Sequence, residues 1–237
     1  VLSAIAIIPS APVMVPELAA DAAGELADLR RAVFAAAGSL PPRWIAVGVG
    51  TLDAVLGPDS VGTFAGYGVD RRVTLSPGAA DTPAEMPLCA LIAGWVRGQA
   101  RPDARAEVRV YTAEHDADAA LARGRRLRAQ IDEAVDPIGV LVVADGAHTL
   151  TPPAPGGYEP DSIPTQAALD DALAAGDAAG LTRLPETIVG RVAYQVLAGM
   201  TGVSSSSSRP EPKPRSAKEL YRGAPYGVGY FVGVWQP

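Results

Sequence analysis

Short, almost wholly apolar runs alternate with helix-like stretches along this chain, and that alternation constrains its fold more than any other feature. Leu2–Ile8, Trp44–Val49 and Ile138–Val143 have strand length, and Ala106–Tyr111 adds another strand-like run. Helical spacing fills the stretches between them: about Glu17–Ala37, Pro87–Gln99 and Ala117–Val135. In the first, acidic residues come early and Arg30 and Arg31 late, matching the helix dipole. In the third, Leu121, Leu127 and Ile131 can face inward while the arginines stay wet. Strands separated by helices predict βαβ units: an α/β fold with a mainly parallel central sheet flanked by helices.

After His148 the character changes. Thr151–Pro164 holds five prolines and two glycines and reads as an extended loop. Helices are expected near Thr165–Ala175 and Glu186–Met200, the latter with Ile188, Val192 and Val196 as an inward stripe. Residues 203–217, with Ser204–Ser208 and then Pro210, Pro212 and Pro214, read as a flexible loop within the domain. Tyr226–Trp235 is an apolar strand expected to return to the main sheet, and Gly57–Arg72 a glycine-rich loop with a short edge strand. There is no internal repeat and no clear linker. One domain over 1–237 is the expectation.

Composition excludes several classes. With 48% hydrophobic residues and only 5% aromatic, the core must be mostly Ala, Val and Leu. A net charge of −6 gives no footprint for nucleic acid or an acidic membrane. No apolar run reaches the ~18–20 residues of a membrane span. The opening residues read as a strand rather than a signal peptide, and a cytoplasmic protein is expected. The single cysteine, Cys89, sits in an apolar run and reads as a buried, inert thiol. Gly48-Val49-Gly50-Thr51-Leu52-Asp53 lacks the third glycine of a dinucleotide fingerprint, and neither a P-loop nor a Gly-x-Ser-x-Gly elbow is present.

Chemistry-bearing residues are few. The two histidines, His115 and His148, each follow a strand, where open α/β sheets bind ligands. They are candidates for one shared pocket. Asp145, three residues before His148, is either its orienting partner or a cap for the next backbone segment.

Several segments, in order, resemble the LigB-type class III extradiol dioxygenases and the related Memo proteins. Ile7-Ile8-Pro9-Ser10-Ala11-Pro12-Val13-Met14-Val15-Pro16-Glu17 looks like the family opening. Glu114-His115-Asp116 is similar to a signature after a middle strand, and Ala144-Asp145-Gly146-Ala147-His148 to a later Ser-Ser-Asp-Leu-Ser-His segment. Glu186-Thr187-Ile188-Val189-Gly190-Arg191 resembles a Memo helix start, and Ala224–Tyr230 a closing strand. The resemblance implies iron(II) held by two histidines and a late glutamate, or a cysteine in Memo proteins. Here those positions fall on Ser10, on Gly50 and Thr51, and on Val189, with Glu186 nearby but not aligned to the ligand. A serine and a lone carboxylate would hold iron(II) poorly, so no metal or other cofactor is expected.

What the resemblance leaves is the acid/base half of the family site. His148 matches a histidine that exchanges protons beside the bound catechol, and His115 one that hydrogen-bonds substrate or oxygen. The expected function is binding of a small aromatic or hydroxylated ligand in a two-histidine pocket, with Ser10, Thr51 and Val189 lining it and His148, His115 and Asp145 as its reactive groups. The alternatives are an extradiol dioxygenase with an atypical metal site and a metal-independent acid/base enzyme using His148 and His115. Ser10 as a hydrolytic nucleophile has no oxyanion-hole motif behind it. No nucleic-acid or membrane partner is expected, and the family implies a homo-oligomer.

Overall fold

The computed structural model describes residues 1–20, 24–79, 82–202 and 213–237. Among these, the main sheet has seven strands: β1 (Leu2–Ile8), β2 (Arg43–Gly50), β3 (Ala54–Leu56), β6 (Arg105–Thr112), β7 (Ile138–Val143), β8 (Ser216–Gly223) and β9 (Tyr230–Gln236). Their order is β3-β6-β2-β7-β1-β9-β8. A separate antiparallel pair, β4 (Val61–Thr63) with β5 (Arg72–Thr74), fills part of the glycine-rich stretch. Strands β6, β2, β7 and β1 run parallel. Strands β3, β9 and β8 join antiparallel. The expected parallel sheet is therefore its four-strand centre, with antiparallel strands at both edges.

The helices are α1 (Pro16–Ala19), α2 (Ala27–Gly38), α3 (Leu88–Ala100), α4 (Ala117–Asp132), α5 (Ser162–Ala175) and α6 (Arg191–Met200). One sheet face carries Ala4, Ala6, Ile8, Trp44 and Val108 against α2 and α3. The other carries Ile5, Ile7, Val47, Val140 and Val142 against α4, α5 and α6. Alternate residues of each central strand thus supply two cores, which is why the runs read as continuously apolar. Two of the three buried indoles satisfy their N–H groups locally: Trp44 donates to the Pro41 carbonyl (2.6 Å) and Trp235 to that of Leu173 (2.8 Å). Helices α4 and α6 meet through Gly124 and Gly199, where a Cβ would strike the opposing backbone.

Three expectations need correction. The helix predicted over Glu17–Ala37 is two helices, because the buried stripe Leu29, Ala32, Val33, Ala36 and Ala37 begins only after Leu26. The helix predicted from Glu186 starts at Arg191. Before it, Ile188 bridges Ala147, and the N–H groups of Val189 and Gly190 donate to the Gly146 and Asp145 carbonyls. Those donors are already engaged when the helix begins. The Ser/Pro-rich loop placed over 203–217 lies outside the described residues up to Pro212, and from Ser216 the chain is strand β8. With Lys218, Glu219 and Arg222 on it, this edge strand lacks the apolar signature of a central one.

Candidate functional site at the carboxyl edge of the sheet

Chain connections make the site. After β1 and β2 the chain crosses on the α2–α3 face; after β6 and β7 it crosses on the α4–α6 face. Loops of neighbouring strands therefore part at the carboxyl edge at all three junctions of the parallel centre, β6/β2, β2/β7 and β7/β1, and the Asp53–His115 and Ser10–Asp145 pairs span the outer two. Such partings are where open α/β sheets hold ligands.

In the β1/β7 parting, the Ser10 N–H donates to Asp145 Oδ1 at 2.7 Å. Burial pushes the Asp145 carboxyl up to about 7, against the lowering effect of that single hydrogen bond. Burial thus favours its protonated form well above the ordinary carboxylate range. Behind it Tyr194 is buried and donates to the Ala144 carbonyl at 2.9 Å. Its hydroxyl is pushed well up, by burial first and by Asp145 and Asp170 next. The loop bearing Asp145 is clamped from α5. The Ala147 N–H donates to Gln166 Oε1 (2.7 Å), and Gln166 Nε2 donates to Asp170 Oδ1 (2.8 Å). Gly146 and Gly229 give Gln166 its room, since a Cβ at either would collide with its amide.

His148 does not pair with Asp145. Its Nδ1 is buried and, among the described residues, without a hydrogen-bond partner. Beyond β7, Ala147 bridges Ile188 and the chain bends at His148, while Asp145 accepts from the Ser10 amide. The expected orienting pair is thereby split. A strap from Thr151 to Asp161 returns over His148: the Gly156 N–H donates to the His148 carbonyl (2.9 Å), and a Cβ on Gly156 would sit 2.8 Å from three ring atoms.

The β2/β6 parting holds the other histidine. Asp53, which the sequence reading overlooked, lies three residues beyond β2. His115 Nε2 stands 2.8 and 2.9 Å from its two carboxylate oxygens. The Thr112 N–H donates to Oδ1 (2.8 Å), and Arg123 of α4 donates to Oδ2 (2.7 Å). Partial burial pushes the Asp53 carboxyl up, but Arg123, the Thr112 amide and His115 together bring it down to about 2. Tyr111 presents an edge to the imidazole, and the Arg123 guanidinium lies 5.9 Å from the Tyr111 ring centroid. Arg191 pins the loop from α6 by donating to the carbonyls of His115 (3.0 Å) and Ala113 (2.8 Å). The signal for Asp53 was an acid just past a strand that neighbours the His115 strand; the register that reveals this is a tertiary fact.

The proposed lining residues divide accordingly. Ser10 meets Asp145, Thr51 is exposed two residues before Asp53, and Val189 hangs on the Asp145 loop through its amide. Val189 also lines a cavity of about 340 Å³ with Glu114, Glu186, Ile188, Arg191 and Val192, which includes neither histidine. The two histidines have different surroundings, Asp53 and Tyr111 at His115 and the Gly156 strap at His148, and make no hydrogen bond or ring contact with each other among the described residues. Iron(II) does not fit the positions the resemblance points to: Ser10, Thr51 and Val189 offer no imidazole or carboxylate. Among the described residues no three His, Cys, Asp or Glu side chains are placed to hold a metal. Cys89 packs against Gly48 with its thiol pushed up to about 12 by burial. A larger cavity, about 780 Å³, opens at the opposite end of the strands around Trp44, Arg43, Arg105 and Arg109. Its arginines pair with Asp136, Asp59 and Glu107.

No family model matches the chain, and no curated protein matches its sequence. Among solved structures it is similar to the crystal structure of an uncharacterized protein, JW3007, from Escherichia coli K12. The match covers 99% of this chain and 100% of that one, with a TM-score of 0.55 and 11% identity. The likeness is one of fold. Among the described residues no helix is long and apolar enough to cross a membrane.

Proposed function

We propose that this protein is a metal-free relative of the LigB-type extradiol dioxygenases and Memo proteins that binds a small aromatic or hydroxylated molecule at the carboxyl edge of its sheet. One observation carries the reading: where the resemblance points to a metal, the Ser10 amide instead holds the largely buried Asp145 carboxyl. Raised to about 7 by burial, that carboxyl carries a proton for part of the time near neutral pH. It is suited to exchanging hydrogen bonds with a ligand hydroxyl. His148, half-buried on the same loop but not paired with Asp145, is proposed as a second and separate contact to the ligand.

The test is metal analysis of protein expressed with iron and purified without chelator, paired with catechol calorimetry and an assay for ring cleavage. The expected result is substoichiometric metal and saturable catechol binding, without turnover and weakened by His148→Ala. Stoichiometric iron with ring cleavage would overturn the proposal in favour of a dioxygenase with an atypical site.

A further inference from the structure

We propose that Asp53 and His115 form a separate, metal-independent proton-transfer centre, in which Asp53 holds the imidazole proton on Nε2 and leaves Nδ1 as a bare base. The geometry fixes the tautomer. Both Asp53 oxygens already accept, Oδ1 from the Thr112 amide and Oδ2 from Arg123. A carboxylate in that setting is ionised and can only accept, so the imidazole nitrogen facing it at 2.8–2.9 Å must be the donor. In the neutral ring Nδ1 is then the acceptor. Nδ1 makes no hydrogen bond among the described residues.

Everything around the ring serves orientation. Arg191 holds the His115 carbonyl, Tyr111 meets the ring edge-on, and Arg123 anchors the carboxylate from α4. An acid that orients an imidazole and stabilises its protonated form is the arrangement that makes a histidine a general base. The step is a simple transfer: a phenolic O–H gives its proton to Nδ1, the electron pair stays on the oxygen, and the imidazolium charge is matched by Asp53. Asp53 is a positioning residue and His115 the proton acceptor. The choice of a phenol as substrate rests on the ligand class proposed above; the dyad itself does not.

Two measurements test this. Long-range ¹H–¹⁵N NMR reads the tautomer in the unaltered protein, and with only two histidines the His115 signals are assigned by their loss in His115→Gln. The proton is expected on Nε2 in the wild type, with Asp53→Asn admitting the Nδ1–H form because its amide can donate. The chromophoric probe 4-nitrophenol then reports proton transfer through its phenolate band at about pH 6. The bound phenolate fraction is expected to fall on the order of tenfold in Asp53→Asn and in His115→Gln, with circular dichroism confirming that both variants fold. A wild-type proton on Nδ1 overturns the dyad. A phenolate fraction unchanged in both variants overturns the transfer step. Failure of 4-nitrophenol to bind rejects phenols as the substrate here and counts against the ligand class above, while an Nε2 proton would still establish the dyad.

Discussion

Replacing Asp145 with asparagine removes a titrating group and keeps the shape, so it isolates what the buried carboxyl does to stability. In the folded protein this carboxyl ionises at about 7 against an ordinary 3.8. Between about pH 4 and 7 the folded state therefore binds more protons than the unfolded one, and wild-type stability falls as pH rises. The contribution is fully present below the ordinary value and lost as pH climbs through 7. At roughly 1.4 kcal/mol per pH unit the full difference is about 4 kcal/mol. Asp145 keeps a small opening to solvent, and screening trims this to about 2–3 kcal/mol. Asparagine can still accept the Ser10 N–H through its amide oxygen, so Asp145→Asn should match the wild type near pH 4. Near pH 8 it should exceed it by about 2–3 kcal/mol, or about 5–10 °C in Tm. Thermal and urea unfolding of both proteins across this range provide the assay. Asp170, also pushed up by burial, to about 6, slopes the same way but is common to both proteins, so the difference isolates Asp145. Parallel pH profiles, or a variant less stable than the wild type at pH 8, would refute the reasoning.

Two further outcomes follow from packing. Gly124→Ala places a methyl against the Val196 carbonyl and 2.8 Å from the Met200 amide nitrogen. Alanine's helix preference gains about 1 kcal/mol, but prising α4 from α6 costs about 1–3 kcal/mol; a lower Tm is expected, and a higher one would show that the helices part freely. Cys89, buried and with its thiol raised to about 12, should resist a thiol reagent such as Ellman's reagent at neutral pH and react fully in denaturant. Rapid modification of the native protein would contradict that burial.

Much of the fold was legible because the central strands are buried on both faces. Leu2–Ile8 and Ile138–Val143 match the observed strands residue for residue, and Trp44–Val49 falls short by one at each end. Edge strand β8 escaped notice because a strand facing water on one side can carry Lys218, Glu219 and Arg222. The start of α6 was misplaced because Ile188 falls on helical spacing with Val192 and Val196, while the backbone of residues 188–190 is spent on the Ala144–Ala147 loop. Spacing reports side-chain preference; it does not report where a distant carbonyl waits.

The site divides along the same line. Sequence alone determined that His115 and His148 lie at strand ends, and that Ser10, Thr51 and Val189 are poor metal ligands, since these follow from residue type and local pattern. Which groups meet was decided only by tertiary structure. Asp145 meets the Ser10 amide rather than His148, and the strand order β6-β2-β7-β1 delivers Asp53 to His115 and Ser10 to Asp145. Hydrogen bonds across 62 and 135 residues of sequence arise from strand order and register, and no local pattern encodes either.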